Sequence, residues 1–196
     1  MKNSIKIAAL MTSSALLTFN VAAEQTTFQA AVTVQNAFTL QADSGLDFGT
    51  IRATADATGA QTATLVLPAN PATSATTAST DPTAAEIAIL NPGAPALFSV
   101  SGVSPFATLN ITNPTETDIS PDSAPSGTAK FVLGSFTYYV LTGANPNSAA
   151  TTSIQVDANG EATFNLGATL STDNAVSTAD YIDGTYSGTF TLQLDY

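Results

Sequence analysis

The residues of this chain that could do chemistry are almost all acids. Asp157-Ala158-Asn159-Gly160-Glu161 has the look of part of a calcium-binding loop. A complete loop needs more oxygen ligands at set spacings and a late bidentate Glu. The run reads instead as a tight turn between two strands, because Gly after Asn takes positive φ easily. Asp173, Asp180 and Asp183 form a second acidic group, read as solvated loop acids. Two carboxylates could hydrolyse a glycosidic bond. Such sites bring aromatic platforms for sugars, yet the chain has Trp 0 and its Tyr residues fall mostly in strands. Lys130 could join an Asn or Asp in an isopeptide bond, but a lysine snorkelling from a strand edge is the plainer reading. With His 0 and Cys 0, most transition-metal sites and most nucleophile–base pairs are excluded. The expectation is no catalytic residue, no cofactor-binding residue, no metal site, no cofactor and no enzymatic activity.

Composition narrows the partners. Charged residues are 10% of the chain and the formal net charge is -11, against a usual charged fraction of about 25%. Lys2 and Lys6 sit in an N-terminal segment that reads as a secretory signal. Ile7 to Leu17 is its apolar core, and Val21-Ala22-Ala23 fits the cleavage pattern, so Glu24 should begin the mature chain. That leaves Arg52 and Lys130 as the only cations of the exported protein. Phosphate backbones and anionic lipids need clustered Lys and Arg, so nucleic acid is excluded as a partner. The leader is too short to span a bilayer and no later segment is apolar enough, so no membrane insertion is expected. Without cysteine no disulfide can form, and packing alone must hold the fold.

The elements beneath these residues are strands. After the leader, period-two segments separated by Gly, Pro, Asn, Asp and Ser dominate, which predicts an all-β fold. Phe28 to Leu40 reads as a first strand, with Phe28, Ala30, Val32, Val34, Phe38 and Leu40 on one face and a possible bulge at Asn36. Leu46–Ile51, Gln61–Leu67 and Glu86–Leu90 follow. Leu97–Ser101 and Thr108–Thr112 read as a pair bent at Gly102 to Pro105. Ala129–Leu141 carries Phe131, Leu133, Phe136, Tyr138, Tyr139 and Val140, with a kink at Gly134. Ser153–Val156 and Ala162–Leu170 flank the Asn159-Gly160 turn. In the last stretch Tyr186, Phe190, Leu192, Leu194 and Tyr196 share one parity, and Thr and Gln fill the other. This strand is expected to run to the last residue. Ala69 to Ala85 and Asn113 to Gly127 read as surface loops. Residues 1–23 are thus a signal peptide and 24–196 one domain, with Phe48, Phe98, Phe131, Phe164 and Phe190 expected in its core.

Three motifs stand in order behind the leader: Leu46-Asp47-Phe48-Gly49-Thr50-Ile51, Phe164-Asn165-Leu166-Gly167-Ala168-Thr169-Leu170, and Gly184 to Leu192. With them the chain resembles a secreted bacterial β-sandwich family of unknown function, related to spore coat protein U and to fimbrial subunits. The resemblance covers the whole mature chain. It implies a single immunoglobulin-like β-sandwich of antiparallel strands and a structural role in the periplasm, at the cell surface or outside the cell. It brings no catalytic residues.

Two functions follow as expectations. The first is a fimbria- or pilus-like cell-surface structural subunit, either monomeric or assembled by strand exchange, partnered by copies of itself or by a periplasmic chaperone. Its assembly strands would carry Phe28, Val32, Val34, Phe38 and Leu40 at one end and Tyr186, Phe190, Leu192, Leu194 and Tyr196 at the other. Phe28 to Leu40 is then either a donor for a neighbour or the domain's own first strand. The second is a small outer-membrane β-barrel, which also ends in an aromatic residue with alternating apolar positions.

Overall fold

The computed structural model describes residues 24–32, 37–121 and 123–196. The signal-peptide reading, Val34 and Asn36 lie outside the described residues. The chain divides into two units, the first ending at residue 34. In the first, residues 24–32 form no strand, and Phe28 and Val32 are 87% and 86% exposed.

The second unit is all-β. Its strands are β1 (Thr39–Ser44), β2 (Asp47–Thr54), β3 (Ala63–Leu67), β4 (Thr76–Ser79), β5 (Glu86–Ala94), β6 (Ala96–Ser101), β7 (Thr108–Thr112), β8 (Thr117–Ile119), β9 (Phe131–Thr142), β10 (Ser148–Ala150), β11 (Ser153–Gln155), β12 (Ala162–Thr172) and β13 (Gln193–Asp195). All strand pairs are antiparallel. The large sheet centres on β12, which pairs β9 along one edge and β6 then β3 along the other; β1 and β4 extend the far side, while β8 and β10 extend β9. Two small sheets, β11-β7-β13 and β2-β5, make the other layer. The protein is a β-sandwich. Its sheets stay open and separate, so the barrel expectation does not hold: no strand closes the large sheet on itself among the described residues.

Each small sheet covers its own core. Phe98, Leu109, Tyr138, Ile154, Phe164 and Leu166 belong to the cluster under β11-β7-β13. Leu65, Ile87, Phe131, Leu133 and Leu170 belong to the cluster under β2-β5. Strand β12 serves both with one parity, Phe164 and Leu166 to the first, Ala168 and Leu170 to the second. Strand β9 cannot do so without help. Phe131 and Leu133 face inward with odd numbers, Tyr138 and Val140 with even ones. The switch falls where β9 slips against β12 between Gly134 and Thr137, beside Ser135 at φ 50. One extra residue flips every later side chain to the other face. The kink expected at Gly134 is this bulge.

Several sequence expectations need correction. The loop 69–85 contains β4, and the loop 113–127 contains β8. Both are short edge strands, Thr-Thr-Ala-Ser and Thr-Asp-Ile, too short and polar to signal a strand by themselves. The segments around Gly102 do not pair: β6 lies in the large sheet and β7 in the opposite layer. The first strand starts at Thr39, not Phe28, so only Leu40 of its expected face lies in it. Phe38, just before it, packs partly buried on the first core beside Leu40 and edge-on to Tyr196 at 5.7 Å. The last strand shrinks to Gln193–Asp195. Its alternation survives, since Tyr186, Phe190 and Leu192 are half-buried and Leu194 is buried, while Tyr196 stays 50% exposed. Of the five expected core phenylalanines, Phe98, Phe131 and Phe164 are buried, whereas Phe48 and Phe190 are half-buried.

Candidate functional site

The acids come first, because they were the candidates for chemistry. Asp157 accepts the backbone N–H groups of Asn159 at 2.8 Å and Glu161 at 3.0 Å. Gly160, at φ 77, donates to the Asp157 carbonyl at 3.1 Å and closes the turn. The carboxylate is committed to the turn rather than open to an ion. The two flanking strands, β11 and β12, then diverge into different layers, so the turn joins sheets instead of closing a long hairpin. Asp173 is 4% exposed and accepts Lys130 N–H at 3.3 Å and Ala175 N–H at 2.9 Å, which corrects its reading as a solvated loop acid. Asp180 accepts the Ala55 and Tyr181 N–H groups. These acids are fasteners for loops, with backbone donors as their partners.

The two cations are also engaged. Arg52 meets Glu86 at 3.2 Å across β2 and β5, and Lys130 pairs with Asp118. Hydrogen bonding to Asp118 holds the Lys130 ammonium above its usual pKa. That keeps it charged and poorly suited to forming an amide. Burial pushes the Tyr138 phenol up to about 12, so it stays a neutral donor to Asn113 at 2.9 Å.

A pH dependence follows from the turns. Backbone and side-chain donors hold Asp56, Asp81 and Asp157 below the ordinary carboxylate range. A carboxylate depressed in the folded state stabilises above its unfolded pKa of about 3.9, and that share is lost as pH falls through the folded value. Relief of acid–acid repulsion works the other way, so the useful comparison is internal. Urea midpoints measured from pH 6 to pH 2 should fall below about pH 4, and less steeply in Asp157→Asn. Parallel curves for the two proteins would remove Asp157 from the effect.

What remains open is an edge. Among the described residues strand β2 pairs only β5, in a two-stranded sheet. Beside it lies a cleft of about 700 Å³. Leu46 to Ala53 line one wall without interruption, and the run Tyr181 to Gly188 lines the other. The floor is apolar: Ile119, Phe131, Leu133 and Leu170, all buried members of the second core. Phe131 stacks on Tyr181 at 4.1 Å and meets Tyr186 edge-on at 5.2 Å, which props the far wall. Of the expected assembly residues, Tyr186 and Phe190 line this cleft. Leu192 and Leu194 pack on the first core instead. Sequence reading missed the β2 edge as a site, although the motif Leu46 to Ile51 had marked the strand itself.

The fold and this site define an antiparallel β-sandwich whose second layer is split by an open-edged cleft. The chain belongs to the family described as Domain of unknown function (DUF4402), whose model matches residues 38–196. That description names neither spore coat protein U nor fimbrial subunits. No curated protein and no solved structure matches.

Proposed function

We propose that the protein is an exported structural subunit of the fimbria- or pilus-like kind, which assembles at the cell surface by strand exchange. The observation that carries this reading is a sandwich layer with, among the described residues, an unpaired strand edge beside a cleft floored by apolar core side chains, in a chain that also bears an exposed apolar-alternating segment without a strand. Unpaired edges recruit strands, and an added strand gains main-chain hydrogen bonds while its alternate side chains fill pockets. Phe28 and Val32 would each contribute roughly 1.5–3 kcal/mol on full burial. Ordering costs about 1–2 kcal/mol per residue, so the backbone ladder must supply the rest. The absence of cysteine excludes a disulfide link between subunits.

The test is direct. Full-chain protein run on gels without heating, and by light scattering, should show oligomers that boiling dissolves. The double variant Phe28→Asp/Val32→Asp should remain monomeric with an unchanged melting temperature, because both side chains are exposed in the single chain. A wild-type protein that stays monomeric at high concentration would refute the reading.

A further inference from the structure

Resting on that reading, we propose that the acceptor site is the cleft beside β2, and that its occupant is residues 24–32 of a second copy of this chain. Three observations converge. The first is the edge: β2 is eight residues long, and among the described residues β5 is its one strand partner. Nine extended residues match it in length, at about 3.3 Å per residue. The second is the floor, where the apolar core residues Ile119, Phe131, Leu133 and Leu170 line the cleft. An inserted strand would join the β2-β5 sheet to the run that leads into β13, and the two half-layers would become one. The third is the segment. Thr26, Phe28, Ala30 and Val32 share a parity, and Gln25 to Val32 carries no charge to bring into the cleft. All nine residues are exposed in the single chain.

In the single chain residues 24–32 are exposed and form no strand, which leaves them available to a second copy.

The protein has no cysteine, so introduced thiols report cleanly. Gln29→Cys marks the segment, Thr50→Cys marks the β2 edge, and Thr77→Cys marks the β4 edge; all three positions are exposed. Each pair is mixed as full-chain proteins and treated with a short bismaleimide, whose reach makes the link insensitive to a small register shift. The expected result is a Gln29–Thr50 cross-linked dimer at least tenfold more abundant than the Gln29–Thr77 product. Oligomers that form without that preference would overturn the cleft as acceptor and leave strand exchange standing. A chain carrying both Gln29→Cys and Thr50→Cys that links only within itself would overturn the second copy as occupant. Absence of any oligomer would overturn strand exchange and this site together.

Discussion

Replacing Phe164 by Ala should cost about 3–5 kcal/mol, the largest single-residue loss expected in this protein. Phe164 is fully buried at the centre of β12, the strand every other part of the large sheet depends on. It sits directly across from Phe98 in register, and the two rings stack at 5.4 Å. Tyr138 on β9 closes the other side at 6.3 Å. Three adjacent strands thus meet at one aromatic layer, where pairs add to the plain burial term. Neighbours fixed in sheet ladders cannot collapse into the space that Ala would leave. The melting temperature followed by circular dichroism should drop by roughly 10 °C or more. Phe190→Ala should cost less, since Phe190 is half-buried at the edge of the open cleft. Equal losses for the two variants would mean that the cleft is filled in solution and that Phe190 belongs to a closed core.

Gly167→Ala should be strongly damaging, although it adds only one methyl group. A Cβ at Gly167 would lie 2.3 Å from both the Ala69 nitrogen and the Leu67 carbonyl oxygen. Both are backbone atoms and cannot rotate away. The chain leaving β3 crosses the outer face of β12 here, tied down by the Asn165 side-chain amide donating to the Ala69 carbonyl at 3.1 Å. Gly in a strand interior often marks such a close backbone approach. The added methyl must push β3 off β12 at the heart of the sheet, which costs about 1–3 kcal/mol or more. Chemical denaturation should show a lower midpoint, with hydrogen exchange quickening first in β3. A midpoint equal to wild type would show that the 67–69 crossing yields easily.

Some of this architecture is local and therefore visible in residue order. Alternation is a property of one strand, so β2, β3, β6, β7, β9 and β12 could be read from their own side chains. The Asn159-Gly160 turn was legible for the same reason, since positive φ is a property of one residue. The C-terminal alternation held its burial pattern even where regular pairing stops short at β13. Lack of cysteine, histidine and tryptophan is a matter of composition and needs no fold.

Other features exist only when distant segments meet. β4 and β8 are strands because β3 and β9 offer them an edge; their own Thr-, Ser- and Asp-containing sequences do not ask for it. Phe28 to Leu40 carries one apolar alternation broken only at Asn36, yet its described residues separate into an exposed segment before residue 33 and a paired strand from Thr39. Periodicity says which face a strand would bury, and cannot say whether a partner is there to bury it. Asp173 looked like a surface acid until burial placed it against the backbone N–H of Lys130, 43 residues away. The cleft itself is the clearest case. It is a missing neighbour beside β2, and the position of a gap between sheets follows from tertiary packing, because no single strand encodes which of its edges will be left open.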